Sequence, residues 1–159
     1  MKKSIVIYFS ASGITAEVAQ RLAAAIRADI FEIKPETPYT PNDLNWTDKN
    51  SRSSVEMRER TCRPVIAGSI PNLKKYEAVF VGFPIWWYRE PSIIDTFMET
   101  APLEGKTVIP FATSGGSGLG ETALNLQALA PKAHIKEGAR FEANTSESEL
   151  KMWATKYIL

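Results

Sequence analysis

Short runs of almost unbroken apolar residues alternate along this chain with segments whose apolar residues recur every four positions, and few folds accommodate that alternation. Ser4-Ile5-Val6-Ile7-Tyr8-Phe9 is the first such run, the pattern of a strand covered on both faces. Beyond the polar Ser10-Ala11-Ser12-Gly13, the spacing of Ile14, Val18, Leu22 and Ile26 predicts an amphipathic helix. Ile30 to Ile33 predicts a second strand, closed by Pro35. Ala78 to Phe83 predicts a buried third strand ended by Pro84, and Pro91 suits the first turn of a helix carrying Ile93, Ile94, Phe97 and Met98. Thr107 to Thr113 reads as a fourth strand, in which Pro110 removes a ladder hydrogen bond unless it sits at a bulge. Leu119 to Leu129 predicts a helix, and a fifth strand falls within Ile135 to Ala143. Ser146 and Glu149 form a capping box ahead of a last helix with Leu150, Trp153 and Tyr157 on its apolar face. Strands alternating with helices over residues 1–159 imply a single α/β domain, a doubly wound parallel sheet with helices on both faces.

One stretch departs from this rhythm. Residues 35–76 carry Pro35, Pro38 and Pro41, and from Thr47 to Arg60 the only large apolar side chains are Val55 and Met57. A long excursion with one short, solvated, weakly held helix is expected, and a loop of that length in a compact domain is usually functional or mobile.

Charge and cysteine content narrow the function classes. Lys and Arg total 19 against 18 Asp and Glu, so no basic surplus supports nucleic-acid or membrane-surface binding. No apolar stretch approaches the ~18 residues of a membrane span. The lone Cys62 has no internal disulfide partner, which fits a reducing compartment and a cytoplasmic protein.

In an open α/β sheet, ligands bind outside the carboxyl ends of the strands. Three loops there are rich in small, polar or aromatic residues. The first is Ser10-Ala11-Ser12-Gly13-Ile14-Thr15, leading into a helix. The hydroxyls of Ser10, Ser12 and Thr15 and the amides around Gly13 can donate to a phosphate, aided by the helix dipole. Without a Walker-type Lys or a GxGxxG pattern, a monophosphate fits better than a triphosphate. The competing reading is that Ser12 only caps the helix. The second loop, Pro84-Ile85-Trp86-Trp87-Tyr88, places three successive aromatics beyond a strand, suited to a flat ring such as an isoalloxazine. Alternatively, one Trp packs into the core and another meets a partner. The third, Thr113-Ser114-Gly115-Gly116-Ser117-Gly118, lets backbone amides come close to a ligand. Its competing reading is a mobile linker.

With these residues in view, Tyr8 to Thr15 resembles the phosphate loop of the flavodoxins, a serine- and threonine-rich turn closing on Gly-Asn-Thr. Here Ile14 stands where Asn is common, and its backbone amide remains. Gly82 to Trp87 and Thr113 to Gly118 are similar to the two flavin-flanking segments of a bacterial flavodoxin-like subfamily, and the three motifs come in family order. The resemblance implies FMN, a five-stranded sheet of order 2-1-3-4-5 and redox chemistry at the flavin ring. By position, Ser10, Ser12, Gly13, Ile14 and Thr15 would hold the phosphate. Pro84, Ile85, Trp86, Trp87 and Tyr88 would flank the ring on one side, and Thr113, Ser114, Gly115, Gly116, Ser117 and Gly118 on the other.

The function expected is electron transfer or flavin-dependent oxidoreduction, with a redox partner protein or a small acceptor such as a quinone, and NAD(P)H as a candidate donor. The alternatives are an NAD(P)H-dependent quinone reductase and a flavin-free binding module on the same fold. No acid–base pair or metal set stands out. His134 is expected at the surface, Cys62 without a nucleophilic role, and Glu56, Arg58, Glu59, Arg60 and Arg63 on a solvated face.

Overall fold

The apolar runs become the strands of one sheet in the computed structural model, which describes residues 1–159. The strands are β1 (Ser4–Tyr8), β2 (Asp29–Glu32), β3 (Ala78–Pro84), β4 (Thr107–Thr113), β5 (His134–Ile135) and β6 (Ala139–Phe141). All pair in parallel in the order 2-1-3-4-5, with β6 adding to the same edge of β4. The helices are α1 (Ile14–Ile26), α2 (Arg52–Arg58), α3 (Ser92–Thr100), α4 (Thr122–Leu129) and α5 (Glu147–Ile158).

Alternation along each strand sorts its side chains into two cores. Ile5 and Ile7 of β1 join Val79, Val81 and Phe83 of β3 beneath Ile93, Ile94 and Phe97 of α3 and Leu126 of α4. Val6, Phe80, Ile109 and Phe111 point the other way, against Val18 and Leu22 of α1 and Leu150, Ala154 and Ile158 of α5. Ile14, the first residue of the α1 stripe, is not part of this core and is 43% exposed. The capping box closes as its sequence predicts on one side: Ser146 Oγ accepts from the Glu149 amide at 3.1 Å.

Pro110 explains why the fifth strand comes in two pieces. The Lys106 and Val108 carbonyls accept from the His134 and Lys136 amides. By the same alternation, the position of the missing Pro110 N–H falls on this edge. Residues 137–138 leave the ladder there, and Gly138 adopts φ 80° with Pro110 O so close that a Cβ would lie 2.0 Å from it.

The excursion corrects the expectation of a solvated helix and, at Glu56, of a solvated charged run, while Arg58, Glu59 and Arg60 are exposed as expected. In α2, Ser53, Ser54, Glu56 and Met57 are buried. Glu56 is held by the Tyr39 hydroxyl at 2.5 Å and by Arg52 Nε at 3.0 Å, and the Glu56 carbonyl accepts from Ser92 Oγ at 3.1 Å. Arg52 is the i,i+4 neighbour on α2 itself, but Tyr39 and Ser92 lie 17 and 36 residues away outside the helix, so local composition gives no hint of them.

Candidate functional site

The first loop is shaped by Gly13, whose φ of 95° lets the chain turn into α1. Ser10 Oγ accepts from the Gly13 amide at 3.1 Å and from the Ala16 amide at 3.2 Å. Ser10, not Ser12, therefore supplies the side-chain cap. The amides of Ser12, Ile14 and Thr15 donate to no protein acceptor, leaving three N–H groups at the positive end of the helix dipole. Thr15 is buried, and its Oγ1 lies 2.7 Å from Thr113 Oγ1 at the end of β4. Its amide, rather than its hydroxyl, is thus the uncommitted group.

The second loop is a tight hairpin. Trp86 and Arg89 exchange both backbone hydrogen bonds, at 3.0 and 3.1 Å, with Trp87 and Tyr88 alone at the tip. Both tip residues have positive φ, 48° and 65°, the geometry that usually selects Asn-Gly. Holding two aromatics there costs on the order of 1–2 kcal/mol per residue. The structure separates the three aromatics. Trp86 is half-buried, edge-on to Phe9 at 5.7 Å and to Tyr39 at 5.5 Å. Trp87 and Tyr88 are 43% and 75% exposed.

What fixes the hairpin is Arg89, buried below it. Its guanidinium donates to Met57 O of α2 at 3.1 Å and to Asp95 Oδ2 of α3 at 3.3 Å, with Glu90 Oε2 at 3.5 Å. Burial first, and then hydrogen bonding to Glu90 and its charge, push the Asp95 carboxyl up to about 8, against the opposing pull of Arg89 and Arg63. Asp95 Oδ1 has no hydrogen-bond partner.

The third loop meets the second where Gly120 (φ 56°) approaches Tyr88 O so closely that a Cβ would lie 2.8 Å away. Gly115, Gly116 and Gly118 have no positive φ, and a Cβ on any of them would meet nothing within 4 Å. Neither backbone conformation nor internal packing demands glycine at these three positions. A ligand lying on the backbone would.

Two clefts open between the loops and share Ser12 and Pro84. One, of about 610 Å³, runs along the aromatic hairpin to Leu44, Trp46 and Ser53. The other, of about 430 Å³, lies between Ile14, Thr113 to Gly115 and Glu142 to Asn144. A family model described as flavodoxin matches residues 3–157. The chain belongs to the flavodoxin family.

Solved structures agree with that membership. A provisionally assigned flavoprotein of Bacteroides eggerthii is 46% identical, with 99% of this chain and 98% of that one covered and a TM-score of 0.92. A similar protein of Bacteroides uniformis is 42% identical over 97% of this chain and 98% of that one, with a TM-score of 0.91. A flavoprotein of Lactobacillus acidophilus, solved in complex with FMN, shares the fold at 20% identity, covering 97% and 99% of the two chains with a TM-score of 0.74. No curated protein matches the sequence.

In this flavodoxin-family chain the three loops meet at one end of the sheet. Ser12, Ile14, Pro84, Ile85, Trp86, Trp87, Tyr88, Thr113, Ser114, Gly115 and Ser117 line one cleft or both. Ser10, Gly13, Thr15, Gly116 and Gly118 line neither; Ser10 and Thr15 act as internal braces and Gly13 as the turn. Sequence reading missed two walls. Glu142, Ala143 and Asn144 follow the carboxyl end of the fifth strand, so a sharper strand boundary would have found them. Leu44, Trp46 and Ser53 come from the excursion, and only the unexplained Trp46 in a polar stretch marked them. His134 is an exposed residue of β5. Cys62 is partly buried, and burial with nearby Glu56 and Glu59 pushes its thiol up, away from the reactive thiolate.

Proposed function

We propose that this chain binds FMN across the carboxyl ends of β1, β3 and β4 and serves electron transfer or flavin-dependent reduction. One observation carries the proposal. The uncommitted amides of Ser12 and Ile14 and the open backbone of Gly115 line a cleft that shares Ser12 and Pro84 with the aromatic-walled one, which Ser117 also lines. The residues fit the group. Neutral donors suit a monophosphate: the Ser12, Ile14 and Thr15 amides, the Ser12 hydroxyl, and the hydrogen that Ser10 Oγ keeps while accepting two amides. Trp86 and Trp87 offer aromatic surface to a flat ring, and the amides of Gly115 and Gly116 can reach its polar edge without side-chain obstruction. FMN, when bound, supplies one- and two-electron transfer; the chain's contribution is to bind, orient and shield it.

A small acceptor, a quinone among them, is favoured over steered docking to a charged protein partner. The first cleft is lined by no charged side chain, and Lys plus Arg, 19, nearly balance Asp plus Glu, 18. The reading places the protein in the cytoplasm, where the lone Cys62 stays reduced. Fluorescence titration with FMN and with riboflavin tests the phosphate site. Ser12→Ala should weaken FMN about tenfold or more and leave riboflavin unchanged, since a hydrogen bond to a charged acceptor contributes about 1.5–3 kcal/mol. Equal affinity of the unmodified protein for FMN and riboflavin would overturn the assignment.

A further inference from the structure

Trp46 is 73% exposed, yet its loop is not slack. Thr40 and Asp43 cap each other through Thr40 N to Asp43 Oδ2 at 2.9 Å and Asp43 N to Thr40 Oγ1 at 3.2 Å. The Asn45 amide donates to Asn42 O at 3.2 Å and the Asp48 amide to Asn45 O at 3.1 Å. The loop is then fastened to α2, with the Ser53 amide on Asp43 O at 3.0 Å and Ser54 Oγ on Asp48 O at 2.8 Å. An ordered turn therefore holds a large indole in solvent, at the mouth of the 610 Å³ cleft.

Opposite it stand Trp87 and Tyr88 on their strained turn. Trp86 meets Phe9 and Tyr39 edge-on, whereas Trp46 pairs with no other aromatic ring. The indole of Trp46 is left free. Of the 11 lining residues, 7 are hydrophobic and none is Lys, Arg, Asp or Glu. That chemistry selects an uncharged, planar ligand.

We infer that Trp46 and Leu44, on the excursion side of the cleft and outside the three loops that hold the cofactor, form a binding wall for an uncharged planar aromatic molecule. The inference rests on the flavin reading, since the strand-end loops must be occupied by FMN for this wall to serve a second ligand. Stacking on one indole beyond area burial is worth about tenfold in affinity.

Calorimetric titration of the FMN-loaded protein with 1,4-naphthoquinone tests it, alongside a separate FMN titration of each variant. Trp46→Ala should weaken naphthoquinone by about tenfold, Trp46→Phe by no more than about threefold, and FMN affinity should hold in both. A charged congener, 1,2-naphthoquinone-4-sulfonate, should bind more weakly than naphthoquinone to the unmodified protein. Naphthoquinone affinity unchanged in Trp46→Ala overturns the site. So does FMN affinity falling in step, because Trp46 would then cover the cofactor itself. A parent protein that takes up no FMN fails in the FMN titration instead, which overturns the flavin reading and this inference with it.

Discussion

Thr15 Oγ1 and Thr113 Oγ1 lie 2.7 Å apart, 98 residues from each other in sequence and buried. One hydrogen bond thereby joins the start of α1 to the end of β4, so two of the loops at the cleft move as a unit.

Because that bond is buried, removing one partner should cost more than removing both. Thr113→Val leaves the Thr15 hydroxyl unpaired and should destabilise the fold by about 1–3 kcal/mol. The Thr15→Val/Thr113→Val double variant should lose clearly less than the sum of the two single losses. Urea unfolding of the four proteins checks the cycle, and additive losses would mean the pair is not coupled.

Relief of the aromatic turn should be measurable. Tyr88 is 75% exposed at φ 65°, so Tyr88→Gly forfeits little packing and removes left-handed strain. The expected gain is about 1 kcal/mol, a rise in Tm of roughly 2–4 °C for a chain of this size. A fall in Tm would show that the Tyr88 side chain is needed for the turn itself.

Asp95 gives the protein a pH signature. Its folded pKa is raised, so its contribution to stability is greatest below the unfolded value of about 3.9 and declines as pH climbs toward about 8. Over that window the unfolded chain gives up the proton that the folded chain keeps. The group should add a downward slope of up to about 1.4 kcal/mol per pH unit. Chemical denaturation of the parent and of Asp95→Asn across this range should show the slope in the parent only.

Gly116→Ala separates packing from ligand contact. Its Cβ would meet nothing within 4 Å, so unfolding free energy should shift by less than about 0.5 kcal/mol. FMN affinity should nevertheless fall, as measured by fluorescence titration. An affinity identical to the parent's would mean that no ligand approaches the backbone at this position.

Much of the sheet could be read directly, because strands covered on both faces, such as Ala78 to Phe83, carry an unbroken apolar signal. The three strand-end loops were legible for the same reason: topology places them together once the strands are known. Helix α2 was not. Glu56 looks solvated beside Arg58, Glu59 and Arg60, and becomes buried only because Tyr39 and Ser92 converge on it from other segments and close over its pair with Arg52. Pro110 announced a ladder defect, but its answer, a break at Gly138 in the neighbouring strand, belongs to the pair and not to either sequence segment. The roles within the first loop were exchanged as well. Ser10 and Ser12 are chemically identical, and only the path of the turn decides which one folds back over the helix.

The break opposite Pro110 also bears on how the protein behaves when crowded. Beyond β4 the sheet ends in pieces of 2 and 3 residues separated by a left-handed glycine. At the opposite margin β2 is 4 residues long and carries Asp29 and Glu32. Neither border offers the long, flat, apolar ladder on which a second chain could add strands, so the device that accommodates one proline also guards the sheet against edge-to-edge aggregation.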